Sequence, residues 1–435
     1  MARSLAQWLA LQEAAHPKSI DLGLVRVGAV ARRLGVDRPQ AAVITVGGTN
    51  GKGSTVAHLE AISLAAGRSV GLFTSPHFLR YNERIRIDGV EADDAAIVAA
   101  FERIEAARDG TTLTFFEYNT LAALLLFAER RVELALLEVG LGGRLDATNL
   151  IDADVSVVCS VGLDHRDWLG DTLEAIGAEK AGIFRAGRPA VLGTAHMPAS
   201  VYSTIARIGA KPIVAEQDFS WQVTPGADGP PHWSYRGAGL EIADLPPSAL
   251  AGSIQYRNAA TALAALEALA QRSAVAAQMV AHLDGSTVAS ALRQVQLAGR
   301  FQIVPGPVEW ILDIAHNQPA AEVLATQLEE RPCQGRTLAV VGILGDKDAP
   351  AIAQALAPAL DRWFLCTLEG PRGVSAAELA RRLEPIVRDP ILAGSVPAGC
   401  EAARAAARAG DRVVVCGSVH TVGPALEWLG VYSSR

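Results

Sequence analysis

Apolar runs of four to six residues alternate with longer stretches of helical periodicity along most of the chain. Val43-Ile44-Thr45-Val46 predicts a buried strand, followed by a glycine-rich loop and a helix over Ser54–Ala66. Ser69–Phe73 predicts the next strand, and Ala96–Ala107 and Tyr118–Glu129 two helices. Leu134–Val139 predicts a strand ending in Gly140-Leu141-Gly142-Gly143, Val155–Val158 another, and Leu173–Phe184 a further helix. Continuously apolar strands alternating with helices imply an α/β fold with a mainly parallel sheet covered on both faces.

The character changes over Phe219–Leu250, which is rich in Gly, Pro and aromatics and predicts short antiparallel strands and loops. Helical, alanine-rich sequence follows from Asn258 to Val295, and a second alternating series begins at Phe301. Its strands are expected at Trp310–Leu312, Leu338–Val341 and Val413–Val415. With 435 residues, the chain exceeds one ordinary core. The restart near Leu297–Arg300 divides it into residues 1–297 and a smaller, Rossmann-like α/β domain over 298–435.

Composition narrows the function classes. Half the residues are hydrophobic, a fifth are charged and the net charge is -7, a globular profile that gives no reason to expect nucleic acid or an acidic membrane as partner. The five cysteines (Cys159, Cys333, Cys366, Cys400, Cys416) are dispersed without a CxxC pair, which fits a reducing cytoplasm better than a disulfide framework or a zinc site. The first residues lack the apolar core of a signal peptide, and Leu121–Ala128 is too short to span a bilayer.

The first chemical signal is TVGGTNGKGST over Thr45–Thr55, which almost matches the Gly-x4-Gly-Lys-Ser/Thr phosphate loop. Gly47 lies one residue too close to Gly51, and Gly53 separates Lys52 from Ser54. Its place between strand and helix still suits a polyphosphate, whose oxygens would meet backbone N–H groups and Lys52, with Ser54 or Thr55 facing Mg²⁺. The plainer alternative is a tight turn with a surface lysine. Glu138 ends an apolar strand, where a carboxylate can hold a metal or water, or can simply pair with Arg144. His165, Lys180 and Ser75-Pro76-His77 read first as a hydrogen-bonded histidine, a solvated lysine and a turn. In the second half Asp313–Asn317, Gly342–Asp348 and Gly417–His420 form three polar loops expected on one sheet edge, suggesting a second ligand-facing surface or simply helix caps.

Eleven ordered blocks link these pieces: GTNGKGS, TSPHFLRYNERIRI, TFFEYNTLAAL, LLEVGLGGRLDATN, GLDHRDWLG, EKAGIFR, GRFQ, DIAHN, DKD, EGPRG and CGSVHTV. Together they resemble the bacterial dihydrofolate synthase/folylpolyglutamate synthases of the Mur ligase superfamily, from Ile20 almost to the end of the chain. The resemblance makes the irregular loop the family's own phosphate loop. It implies ATP-dependent joining of a pteroate carboxylate to the amine of L-glutamate through an acyl phosphate. Both dihydropteroate and tetrahydrofolate substrates are expected, because Asp21-Leu22-Gly23 and FFEYN resemble the bifunctional form.

By matching motif positions, the resemblance assigns Thr49, Asn50, Gly51, Lys52, Gly53, Ser54, Asn258, Arg300 and Asp313 to ATP. It assigns Ser75, Glu138, His165 and a carbamylated Lys180 to Mg²⁺, with two ions expected and a monovalent cation allowed. Lys52, Lys180, His165 and Arg300 would serve catalysis, with Arg300 reaching the γ-phosphate as the two domains close. Asp21, Thr114, Phe115, Phe116, Glu117, Leu145, Asp146 and Ala147 would contact the pterin substrate, and His316 and Ser418 the glutamate side. The resemblance also implies a cytoplasmic monomer acting on small molecules, without nucleic acid or membrane.

Four departures concern substrate preference: Gly47, Tyr256-Arg257 before Asn258, Gly345, and the residues after Asn317. The nearest rival, a cell-wall Mur ligase, is expected to carry a UDP-binding domain ahead of the loop, for which the residues before Gly47 leave no room. A regulatory ATPase without ligase activity is the rival from another class.

Overall fold

The computed structural model describes residues 3–16, 18, 20–226 and 229–432. The chain divides into two compact units: one holds the chain up to Ala249 together with Tyr256–Val295, the other Leu250–Gln255 and the chain from Gln296 on. The excursion at Leu250–Gln255 has no counterpart in the sequence pattern.

The first unit is built on strands β1 (Ala42–Gly47), β2 (Val70–Phe73), β3 (Ile85–Ile87), β4 (Val90–Glu91), β5 (Leu134–Glu138), β6 (Val155–Val158), β7 (Pro189–Leu192) and β8 (Lys211–Val214). Their spatial order is β4-β3-β2-β5-β1-β6-β7-β8, parallel from β2 to β8 with β3 and β4 antiparallel at one edge. Alternate side chains enter different cores. Ile44, Val46, Leu134 and Leu136 pack with Leu59, Ile62, Leu263 and Leu266 on one face. Val43, Ala135 and Leu137 pack with Ile97, Phe101, Leu121 and Leu125 on the other. Burial on both faces is why these strands carry no polar alternation.

The Gly/Pro/aromatic segment forms a separate antiparallel sheet of β9 (Ser220–Thr224), β10 (His232–Arg236) and β11 (Glu241–Leu245), although its Ala227 and Asp228 lie outside the described residues. Trp233 and Tyr235 turn inward on alternate positions of β10, and each finds a polar partner. The Trp233 indole donates to the Pro246 carbonyl at 2.8 Å, and the Tyr235 hydroxyl donates to Glu267 on the helix Ile254–Ala270.

The second unit holds β12 (Gln302–Val304), β13 (Glu309–Asp313), β14 (Thr337–Val341), β15 (Arg362–Cys366), β16 (Ile391–Ala393) and β17 (Arg412–Cys416), ordered β12-β13-β17-β14-β15-β16. Only β12 is antiparallel. Ile311, Ala339, Val341, Leu365 and Val414 share one core, while Leu338, Val340, Val413 and Val415 are buried as well. The pattern anticipated three of these strands; β12, β15 and β16 are short or begin with arginine and carry less periodicity.

Candidate nucleotide and carboxylate site

The strand order decides what gathers at the carboxyl edge of the first sheet. β2, β5, β1 and β6 are neighbours, so Ser75, Glu138, the glycine loop and the segment leading to His165 emerge side by side. In parallel α/β sheets this edge is where ligands bind.

The glycine loop links β1 to the helix Lys52–Ala65, two residues earlier than the periodicity predicts. Gly51 caps that helix with φ 89°, and a Cβ there would meet Asn258 Oδ1 at 3.1 Å and Cys159 Cβ at 3.3 Å. Only glycine satisfies both the left-handed backbone and this close approach. The rest of the loop is braced from behind: Thr49 N donates to the Ser160 carbonyl at 2.8 Å, Thr49 Oγ1 to the Gly162 carbonyl at 3.1 Å, and Asn50 N to Ser160 Oγ at 3.1 Å. Lys52 Nζ curls over the loop, donating to the Gly48 and Thr49 carbonyls at 2.9 and 3.1 Å. Ser54 and Thr55 are buried in the first turn. Lys52 is thus tied to the loop rather than extended into solvent, and a braced helix N-terminus with a cation across it is chemically suited to an anion.

Glu138 is 3% exposed. Its carboxylate accepts from the Thr74 hydroxyl and from Ser75 N, at 3.4 Å for the latter. The alternative pairing with Arg144 does not form, because Arg144 binds Glu179 at 2.8 Å. His165 adopts φ 52°, its backbone N–H donating to Asp164 Oδ1 at 2.8 Å. Lys180 is not solvated. It is 5% exposed on the helix Leu173–Ala181, and burial, with the nearby Lys52 charge, pulls its ammonium down to about 7. A near-neutral amine there is competent to add CO₂, which a normal ammonium is not.

Hard oxygens on Glu138 and Ser75 suit Mg²⁺. Among the described residues no three His, Cys, Asp or Glu side chains form a complete cage.

The pterin-side residues cluster around the start of the helix Phe115–Arg130. Thr114 and Glu117 form a capping box, with Thr114 N donating to Glu117 Oε2 at 2.7 Å. Phe115 and Phe116 are left half-buried, with Phe116 against Phe73 at 5.6 Å between ring centroids and Phe115 against Tyr81 at 6.1 Å. Phe116 also lies so close to Gly140 that a Cβ there would meet the ring at 2.6 Å. Leu145 and Ala147 flank Asp146, whose buried carboxylate takes N–H bonds from Gly140, Leu141 and Thr148 and the Thr148 hydroxyl. It shapes this loop from within rather than facing outward.

Two arginines in this region escaped the sequence reading. Arg26 pairs with Asp21 at 2.7 Å and reaches Glu117 Oε1 at 3.2 Å, joining two of the expected pterin-side residues. Arg84 is buried, with Nε donating to His77 Nδ1 at 2.7 Å and its guanidinium 5.4 Å from the Phe115 ring centre. Arg84 lies inside a quoted motif, so the signal was present; Arg26 carries none beyond its distance from Asp21.

In the second unit, Asp313 ends β13 and accepts from Phe301 N and Ala315 N, each at 2.8 Å, which sets the Arg300-Phe301 backbone beside it. His316 Nδ1 meets the Ile314 carbonyl at 2.8 Å, and Ser418 is the N-cap of the helix Val419–Trp428. Asn317 and Asp348 cap helices too, so the capping explanation of these loops holds for each. All three nevertheless follow the adjacent strands β13, β17 and β14.

Comparison with known proteins settles the family. The Mur ligase middle domain matches residues 46–199, and the Mur ligase glutamate ligase domain residues 299–419. The dihydrofolate synthase/folylpolyglutamate synthase of Escherichia coli (strain K12) is 45% identical over 98% of this chain and 96% of its own length. This chain belongs to the dihydrofolate synthase/folylpolyglutamate synthase family. The enzyme of that name from Haemophilus influenzae is 39% identical over 96% of each chain. The solved structure of E. coli FolC in complex with DHPP and ADP superposes with a TM-score of 0.90 at 43% identity, covering 99% of this chain and 98% of that one. A bifunctional folylpolyglutamate synthase/dihydrofolate synthase with Mn, AMPPNP and L-glutamate bound gives 0.88 at 40% identity over 98% of each. As a member of this family, the chain is an ATP-dependent ligase of the Mur type.

Proposed function

We propose that this synthase joins L-glutamate to dihydropteroate and extends tetrahydrofolate glutamate tails, using the residues gathered at the carboxyl edge of its first sheet. The observation that carries this assignment is the adjacency of β2, β5, β1 and β6, which sets a phosphate cradle beside a buried carboxylate and a buried lysine. The substrate carboxylate oxygen attacks the γ-phosphorus of ATP, the bond to the β-phosphate oxygen breaks, and ADP leaves. Glutamate's amine then attacks the acyl carbon, sheds a proton, and expels phosphate as the C–O bond breaks. A carboxylate alone has no adequate leaving group, which is why activation comes first.

The chain's contribution is charge and position. Lys52 and the loop N–H groups hold the polyphosphate, while Ser75, Glu138, His165 and a carbamylated Lys180 hold Mg²⁺, which neutralises phosphate charge when bound. Carbamylation swaps a cation for an oxygen donor as the amine nitrogen bonds CO₂ and releases a proton. Phe115 and Phe116 offer ring faces to the pterin. Asp146 and Glu117 act by positioning that surface, since their oxygens are engaged within it. We assign Asn258, Arg300 and Asp313 to the nucleotide and His316 and Ser418 to glutamate. On this reading residues 1–297 carry the pterin and most of the ATP functions, and 298–435 the glutamate side together with Arg300 and Asp313. We place the enzyme in the cytoplasm, where its five free thiols would stay reduced.

Measuring ADP release with dihydropteroate and L-glutamate each present or omitted tests the reading, followed by tetrahydrofolate as acceptor. Release that requires both substrates is expected. Release indifferent to both would overturn it.

A further inference from the structure

The mechanism above leaves one cation beside the loop without a task. Arg257 lies in the first turn of the helix Ile254–Ala270, directly before Asn258, whose side chain touches Gly51. It is half-buried. Its electrostatic neighbours are Cys159, which packs under Gly48 and Gly51, and Glu216 in the turn after β8. No carboxylate among the described residues forms an ion pair with it. Burial accordingly pulls its guanidinium below the ordinary arginine range.

Two effects oppose a cation here. The helix N-terminus carries the positive end of the backbone dipole. Partial burial strips water from the guanidinium, which is costly without a partner. Such an arrangement is stabilised by an anion, and the adjoining loop is built to hold one.

We propose that Arg257 is a nucleotide-binding residue of this enzyme, closing on a phosphate oxygen of ATP from the side of the loop opposite Glu138. The strand order supports the direction: Glu138 leaves β5 on one side of β1, while Cys159 follows β6 on the other. The planar guanidinium suits phosphate oxygens and remains charged despite its burial. The inference rests on the ATP-ligase reading and adds a further protein cation to Lys52 and Arg300.

The test is calorimetric titration of ADP with Mg²⁺ into wild type, Arg257→Ala and Arg257→Lys, together with KM values for ATP and glutamate. Arg257→Ala should weaken ADP and raise the KM for ATP roughly tenfold, the scale of one lost charge-assisted contact. The KM for glutamate should stay near wild type, and Arg257→Lys should recover part of the loss. An ADP affinity for Arg257→Ala within about twofold of wild type would overturn the proposal. So would an equal loss in both variants accompanied by a lowered Tm, the signature of a structural role. If wild type itself released ADP without needing pteroate and glutamate, the ligase reading would fall instead, a result independent of the comparison among variants.

Discussion

Individual residues carry chemistry here that their sequence neighbourhood disguises. Lys180 sits in an ordinary helical pattern, where a lysine is normally solvated, yet it is almost fully buried. Burial depends on how the helix packs, and one sequence does not display that packing. If Lys180 serves as a carbamate, Lys180→Ala should lower kcat by about 10²-fold or more, the scale of removing one preorganised electrostatic group. Added formate or acetate should restore part of the loss and leave wild type unchanged. A variant with nearly full activity and no response to carboxylates would dismiss the role. Arg26 was illegible for a related reason, since its partner Glu117 is 91 residues away in sequence. Lys52 was legible because glycine, lysine and serine in a strand-to-helix loop have few other uses.

Among the elements, the helix Lys52–Ala65 shows how the loop is held from below. His58 is fully buried, with Nδ1 at 2.7 Å from the Ser54 carbonyl and Nε2 at 2.9 Å from Ser248 Oγ. A carbonyl only accepts, so Nδ1 carries the proton and Nε2 accepts from the serine. Burial lowers the His58 pKa to about 4. Between there and about 6.5 the unfolded chain binds a proton that the folded one refuses. Stability therefore falls as pH drops through that window, with a limiting slope of about 1.4 kcal/mol per pH unit. His58→Gln should lose this component and show a flatter stability profile there by urea denaturation, even if weaker at pH 8. Parallel profiles would refute it. Helix and strand positions were otherwise largely readable, because burial on both sheet faces leaves uninterrupted apolar runs. Strands β3, β4, β7, β8, β12, β15 and β16 were not: those of two or three residues establish no period, and the others are short and open on proline, lysine or arginine.

For the whole molecule, a nucleotide bound only by the folded chain must stabilise it. Saturating ADP with Mg²⁺ should raise Tm in a concentration-dependent way, with about 2.7 kcal/mol gained at a hundred times Kd. Lys52→Ala should shift far less at the same ADP concentration, and an equal shift would remove the loop from the nucleotide site. The two-unit division was only partly legible. A restart of alternation marks the second series, but Leu250–Gln255 is too short to announce the unit it joins.

The strand order also sets a timetable for synthesis. β5 lies between β1 and β2, yet leaves the ribosome after both, separated from β1 by three α-helices and, besides β2, two further strands. The glycine loop is therefore translated long before the strand bearing Glu138 can insert beside it. Until then β1 and β2 lack the strand that joins them, and their apolar edges are the surfaces a chaperone would have most reason to cover. Nucleotide binding thus belongs to a late stage of this chain's synthesis, although the loop that begins it lies near the front.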